Sequence, residues 1–473
     1  MRQALLYFER LCEWKVDFHP HREKAPEKEM KRFVVLIFVF CISVNLSAQL
    51  PVIGADSLVK HYTAKMDRYI DRDSCLGGFY SIDLYGVSVF PGPTEKKNNQ
   101  PEYRVNWSDL SLYKNIIAFA PREEAKAMLL EKGARPFLPE FVKTYSLPPE
   151  YLKPRPTAQL PLRGLKIALD PGHIASDTAM GRMEDKYLLL KTGKDSEAIS
   201  ISEGILTWKT ANALAVLLRS EGAEVMMTRD KPGLTAFGKT YAQWRKEDFG
   251  RTLDSLIKED PLNQTLRKIK SGKIRSENVL FRNVFRDAEL RKRAELINAF
   301  RPDLTLIIHF NVDEKNKPWD HPSPKNYCMT FIGGSFQCGE LNDAERRFDF
   351  LRLLLTDDIE NSKKIAGLTA LEFNSELEVP LAKMQDATYL GANCIDAGLP
   401  GVYCRNLSLT RLIQGPLVYG ESLYQDNVNE CLLLTKKAPL TAEGPQSISG
   451  IQRLDEVAEA YHKAILLWAK GQQ

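Results

Sequence analysis

The chain has no block of basic residues interleaved with aromatics, and its 65 Lys and Arg nearly balance 61 Asp and Glu. A formal net charge of +4 spread over 473 residues gives no field able to hold a nucleic acid, so no such partner is expected. None of the eight cysteines forms a CxxC pair, which argues against a cysteine zinc site. No apolar run reaches the roughly 20 residues needed to span a bilayer, so no stable membrane anchor is expected. Histidine is scarce, with seven in the whole chain, so the position of each is informative. An apolar share of 44% is ordinary and allows a sizeable core, and the length allows two or three domains.

Met30-Lys31-Arg32 precedes the apolar run of residues 33–44, and Asn45-Leu46-Ser47-Ala48-Gln49 follows it. A charged start, a short apolar centre and small residues at the end make a secretory signal, with cleavage expected after Ala48. An uncleaved signal anchor is the other reading. Residues 1–29 are polar and patternless and read as an untranslated or disordered upstream segment, with Met30 as the initiator. Cys41 follows Phe40 rather than a small residue, so no lipid anchor is expected. The expected location is the periplasm or cell envelope. Six cysteines would remain: Cys75, Cys328, Cys338, Cys394, Cys404 and Cys431. An oxidising compartment could pair six cysteines in fifteen ways, and buried free thiols are the alternative.

Residues 49–160 form an accessory α+β region that closes in a proline-rich linker, with Pro148-Pro149 and Pro154-Arg155-Pro156. It contains no motif with evident chemistry. Residues 161–473 read as α/β, a twisted, mostly parallel sheet flanked by helices. The apolar stretch Leu165-Lys-Ile-Ala-Leu169 predicts a buried strand stopped by Asp170-Pro171-Gly172. Residues 174–200 are polar and predict a loop or lid. Residues 204–222 predict a helix with Ile205, Leu206, Ala211, Leu214, Ala215, Leu217 and Leu218 on one broad face and Gly222 as its stop. A strand over 224–229 follows, which makes a right-handed parallel unit. Residues 231–288 predict a charged, largely helical, solvated insertion. Further helices are expected over 290–300, 343–365 and 454–470, and strands over 304–308, 328–332, 401–404 and 416–419.

Two of the scarce histidines, His173 and His309, follow buried strands, and parallel strands would bring both to one edge of the sheet. A histidine alone is more often a satisfied loop or core residue. Two neutral imidazoles with one carboxylate instead form a zinc site that keeps a position open for water. Glu203 opens the helix after the first strand and can supply that carboxylate, although Ser200-Ile-Ser-Glu203 also fits a capping box. Glu184, Asp177 and Asp170 are rivals, with Asp170 better suited to hold the turn. Glu421 ends the apolar Pro416-Leu-Val-Tyr-Gly run, where a general base would be wanted.

Taken together, Ile167-Ala-Leu-Asp-Pro-Gly-His173, Glu203, the stretch 222–229, Arg293 to Asn298, Pro302 to Asn311, and Pro416 to Glu421 with Asn427 and Glu430 resemble a known family. They are similar to the zinc-dependent N-acetylmuramoyl-L-alanine amidases, the type-3 amidase family of peptidoglycan hydrolases. The resemblance covers roughly residues 163–473. It implies a phosphorylase/hydrolase-like sheet and one Zn2+ per chain held by His173, Glu203 and His309. It also implies Glu421 as the catalytic glutamate and peptidoglycan or its fragments as substrate. Asp170, Asn311, Asn427 and Arg293 stand in the same motifs as residues that support the ligands or touch substrate. The sequence departs from the family pattern after His173, where Ile174-Ala-Ser replaces a glycine-rich continuation. The long stretch to Glu203 keeps Glu184 as an alternative metal carboxylate. Some relatives carry an inserted helix that occludes the zinc until a partner moves it, so 231–288 is a candidate lid and a protein activator a candidate partner. The competing functions are another zinc amide hydrolase, such as a carboxypeptidase on stem peptides, and a non-catalytic peptidoglycan-binding protein.

Overall fold

Glycines at 77, 78, 86 and 92 and prolines at 91, 93, 101 and 121 punctuate the chain between Ala55 and Leu129, so this part forms only short elements. In the computed structural model, residues 53–130, 154–191, 198–435 and 452–471 are described. The expected signal at 30–48, the segment before it and residues 136–153 of the linker lie outside the described residues. Helix Ala55–Lys65 continues as a π-helical turn, Met66–Ile70. Strands β1 (Tyr80–Ile82), β2 (Gly86–Val89) and β3 (Tyr103–Asn106) then form an antiparallel sheet. Helices Leu110–Phe119 and Arg122–Leu129 follow.

This region shares one continuous apolar core with the rest of the protein. Tyr62, Met66, Val87, Tyr103, Ile117 and Leu129 belong to the same buried cluster as Phe336, Phe348 and Leu354. The Ser335 and Phe336 amides donate to the Tyr69 and Ile70 carbonyls at 2.8 Å each, and Lys65 pairs with Glu360 at 2.9 Å. A disulfide joins Cys75 to Cys338 across 263 residues of sequence, while Cys328, Cys394, Cys404 and Cys431 are buried free thiols. A crosslink that closes so long a loop removes much denatured-state entropy. Cys75→Ser is therefore expected to lower stability by about 2–5 kcal/mol, the range for native disulfides. Thermal unfolding of the oxidised protein checks this, and an unchanged midpoint would refute it.

The larger sheet begins with β4 (Lys166–Pro171). Helix Thr178–Glu184 and a hairpin of β5 (Tyr187–Leu190) and β6 (Ile199–Ser202) come next, where a bare loop or lid was expected. Helix Glu203–Ser220 leads to β7 (Glu224–Met227), and Gly222, at φ 94°, makes the left-handed turn between them. The chain then supplies β8 (Leu304–Asn311), β9 (Met329–Ile332), β10 (Cys394–Leu399), β11 (Val402–Arg405) and β12 (Leu417–Tyr424). The spatial order is β10-β11-β9-β12-β8-β4-β7. Four of its six pairings are parallel, and β9–β12 and β10–β11 are antiparallel, so the sheet is mixed but mostly parallel as expected.

Helices Glu203–Ser220, Asp358–Leu377 and Gln452–Lys470 cover one face of the sheet, and helix Arg286–Phe300 covers β4 on the other. The single helix expected over 343–365 is two, Ala344–Leu355 and Asp358–Leu377, with the break at Thr356 and Asp357. The insertion 231–288 is helical and has an inner apolar face. Trp244, Leu253, Phe281 and Phe285 form a small core that includes Ile174, with Met180 and Met183 packed against it. It therefore rests on the segment just after His173. No helix among the described residues is long and apolar enough to cross a membrane.

Candidate metal-dependent active site

β4 ends at Pro171, and the Gly172 amide donates to Ile308 O of the neighbouring strand at 2.9 Å. His173 follows in the left-handed region, φ 56°, which turns its ring back across the sheet edge. His309 lies inside β8, two residues before its end, and is paired in register with Glu421 of β12. A Cβ on Gly172 would stand 2.2 Å from the His309 ring, so only glycine lets the two strand ends approach this closely.

Glu203 is the first residue of its helix and reaches the same edge. Its Oε1 lies 3.4 Å from His173 Nε2 and 3.0 Å from His309 Nδ1. The ligand atoms of His173, Glu203 and His309 all lie within 4.8 Å of one another. Atoms bound at about 2.0–2.1 Å to one tetrahedral ion stand about 3.3 Å apart, so the three residues fit a zinc. The capping-box reading of Glu203 does not hold. Residues 199–202 are drawn into β6, Ser202 makes no side-chain cap, and its hydroxyl donates to Ala175 O at 3.0 Å. The Glu203 carboxylate instead accepts from the Phe310 amide at 3.3 Å and Gln425 Nε2 at 3.0 Å, and it faces Lys186 Nζ at 3.3 Å.

The three converging groups titrate in different directions. Burial opposes the Glu203 charge, but His173 and Lys186 outweigh it and hold the carboxyl well below its usual range. Burial pushes the His309 imidazole down to about 4, so it is neutral at physiological pH, the form that binds metals. Burial also opposes a charge on His173, but Glu203 and Glu184 more than offset it and raise that group. Glu421 is buried, and its Oε2 has no hydrogen-bond partner among the described residues. Burial and then the charge of Glu203 raise its carboxyl, against the pull of Lys186 and Arg405.

Glu184 lies outside the converging ligand atoms. Its carboxylate accepts the Ile174 amide at 3.0 Å and the Ala175 amide at 2.7 Å, and stands 3.7 Å from His173 Nδ1. It thus fixes the turn and orients the ring from behind. Asp170 is buried beside Arg293, at 3.4 Å from its Nη1. Arg293 donates to Pro171 O at 3.0 Å and His173 O at 3.3 Å, and Arg229 donates to Pro171 O at 2.7 Å and Gly172 O at 3.1 Å. These guanidinium groups clamp the turn that presents His173. Asn311 donates to the Tyr389 hydroxyl at 2.7 Å. Asn427 ties a loop together, donating to Lys325 O at 3.1 Å and accepting the Asn429 amide at 2.9 Å, and takes no place among the ligands. Sequence reasoning missed Lys186, Arg229 and Gln425. Arg229 had a signal, since it follows an apolar strand at the same edge as His173.

Gly172→Ala is expected to fold but to push the His309 ring aside. The expected loss in metal affinity is about 10- to 100-fold, the usual cost of disturbing a ligand's support. Metal titration of the purified variant checks this, and an unchanged affinity would contradict the packing argument.

Convergent imidazoles and a carboxylate beside a buried second carboxylate, on the edge of a mostly parallel sheet, make a hydrolase site. The family model for N-acetylmuramoyl-L-alanine amidase matches residues 167–453, and the chain belongs to this family of enzymes that act on peptidoglycan. Among solved structures it is similar to the apo N-acetylmuramyl-L-alanine amidase Ami1 of Mycobacterium abscessus, at 15% identity, covering 64% of this chain and 98% of that one, with a TM-score of 0.33. It is also similar to the CwlD amidase of Clostridioides difficile, solved with the GerS lipoprotein, at 17% identity, covering 65% and 99%, with a TM-score of 0.33. A third is the amidase AmiC2 of Nostoc punctiforme, at 12% identity, covering 65% and 97%, with a TM-score of 0.33. No curated protein sequence matches the chain.

Proposed function

We propose that this amidase is exported and zinc-dependent, and that it cleaves the amide between N-acetylmuramic acid and L-alanine of peptidoglycan. The observation that carries the reading is the convergence of His173, Glu203 and His309 within 4.8 Å beside the unpartnered carboxylate of Glu421. His173, Glu203 and His309 would hold the zinc. When bound, zinc supplies Lewis acidity that acidifies water and polarises a carbonyl. Glu421 takes the proton of the attacking water at its carboxylate and returns it to the leaving L-alanine nitrogen. Its raised basicity suits both transfers, because a proton held between them must be neither too tightly nor too loosely bound. Gln425 and the Phe310 amide fix Glu203, and the Arg293–Arg229 clamp fixes His173, so the ligands are preorganised.

Export is supported by the signal-like residues 30–48 and by the oxidised Cys75–Cys338 pair, which belongs to an oxidising compartment. The test is to digest purified peptidoglycan with the secreted protein and to measure its metal. The expected products are intact stem peptides with a free L-alanine amine, and the expected metal is about one zinc per chain. Release of single terminal amino acids would identify a carboxypeptidase, and binding without cleavage would identify a wall-binding protein.

A further inference from the structure

Residues of one face of the sheet form a line from the metal site to Arg405. His309 stacks on Tyr419 at 4.4 Å between ring centroids, Tyr419 meets Phe331 at 5.9 Å, and Phe331 meets Tyr389 at 6.4 Å. Asn311, two residues after His309, holds the Tyr389 hydroxyl. Arg405 closes this floor. Its guanidinium carbon sits 5.0 Å from the Phe331 centroid and 4.7 Å from that of Tyr389. Tyr419, Tyr389 and Arg405 each keep part of their surface exposed, while Phe331 beneath them is fully buried.

Most other inward-facing arginines are already engaged, Arg229 by the Pro171 and Gly172 carbonyls. Arg122, Arg293, Arg352, Arg411 and Arg453 each pair with a carboxylate. Arg405 has neither an ion pair nor a side-chain hydrogen bond among the described residues. Stacking on two rings fixes the plane of the guanidinium and leaves its N–H fork unsatisfied, which is the arrangement that receives a carboxylate bidentately. The register offsets Arg405 on β11 from Glu421 on β12 by four residues along the strands, but the Arg405 side chain folds back over Phe331 and its charge acts on Glu421. Across the sheet the two are separated by β9, that is by two strand spacings or about 10 Å. That span equals about three residues of extended peptide.

We propose that Arg405 is a specificity-determining residue that binds a free carboxylate on the peptide, two or three residues beyond the amide that Glu421 attacks. The inference rests on the amidase reading above and deepens it. The peptide lies over the aromatic floor, and its acidic group docks in the Arg405 fork. Because this contact is equal in ground and transition states, its loss appears mainly in KM.

The test uses two synthetic N-acetylmuramoyl peptides that differ only at the second residue, one with a free carboxylate there and one with the carboxamide. The full-length secreted protein, its Arg405→Gln variant and its Arg405→Lys variant are compared. The natural protein is expected to favour the carboxylate by about 10-fold or more in kcat/KM, the size of one charge-assisted contact. In Arg405→Gln that preference falls to near unity, through a higher KM for the carboxylate substrate alone. Arg405→Lys keeps part of it. Calorimetric binding of both peptides to the inactive Glu421→Gln protein, with and without Arg405→Gln, is expected to show the same difference without turnover. Equal losses on both substrates would mean that Arg405 only supports the aromatic packing and would overturn the proposal, as would equal turnover of both by the natural protein. Failure of the natural protein to release stem peptides from peptidoglycan itself would overturn the amidase reading, and this proposal with it.

Discussion

Glu421→Gln is expected to lower kcat by about 10³-fold, within the range that general acid–base catalysis supplies, while leaving zinc content near that of the natural protein. Glu421 is not among the three converging ligands, so the amide should not disturb metal binding. It cannot accept a proton from water or return one to the leaving nitrogen. The same substitution should stabilise the metal-free fold. The carboxylate is buried, its Oε2 has no hydrogen-bond partner, and Glu203 repels it. A neutral amide of equal shape is equally unpartnered but removes that repulsion and the cost of ionising a buried carboxyl, so about 1 kcal/mol or more should be recovered. Loss of turnover together with a higher midpoint of unfolding is what a residue kept for chemistry rather than for the fold produces. If the variant remained active, the proton would have to travel another way, and the assignment would fail. If activity were lost together with zinc, Glu421 would be a ligand instead of a base.

The parts of this site that were legible in the sequence share one property: an apolar run ends abruptly in a polar residue. Ile167-Ala-Leu before Asp-Pro-Gly-His173, Leu304 to Ile308 before His309, and Leu417-Val-Tyr-Gly before Glu421 are buried on both faces, so they lack polar alternation and stand out. Parallel pairing then carries their ends to one edge. The boundaries were less legible, because His309 and Glu421 continue their strands rather than follow them. The hairpin of β5 and β6 was hidden because each strand is only four residues long within a polar stretch, and its second strand removes Ser200 from the cap position before Glu203. Lys186 and Gln425 reach Glu203 only through tertiary packing, across 17 and 222 residues of sequence, and no local pattern announces such contacts. The union of residues 55–129 with the main core was equally invisible, since a shared core leaves no linker-like gap in hydropathy to distinguish it from a separate one. Six cysteines could not announce Cys75–Cys338, because pairing follows from distance in the fold rather than from spacing.

His309→Ala should remove the metal and leave a folded protein. Two ligands would remain, His173 and Glu203, and zinc sites of this kind need three from the protein. The expected zinc content falls from about one per chain to near zero, with peptidoglycan hydrolysis lost. The fold itself loses less. The ring stacks on Tyr419 and accepts or donates at Glu203, so a few kcal/mol of packing and hydrogen bonding are forfeited, as in other large-to-small changes. A decline in stability could in principle imitate a loss of ligand, and chelation separates the two. In the natural protein, zinc held by the folded state alone would stabilise it by RT ln(1 + [Zn]/Kd), about 4 kcal/mol when free zinc is 1,000 times Kd. Chelator should therefore lower its unfolding midpoint and should not move that of His309→Ala. Glu184→Gln gives the opposite pattern, because Glu184 binds the Ile174 and Ala175 amides behind His173 rather than joining the ligand atoms. It should retain zinc and the response to chelator, with affinity weakened about 10- to 100-fold as for other residues that orient a ligand. A Glu184 variant devoid of zinc beside a His309 variant that kept it would exchange their roles. The longer stretch between His173 and Glu203 would then supply the carboxylate that the family pattern places at the helix start.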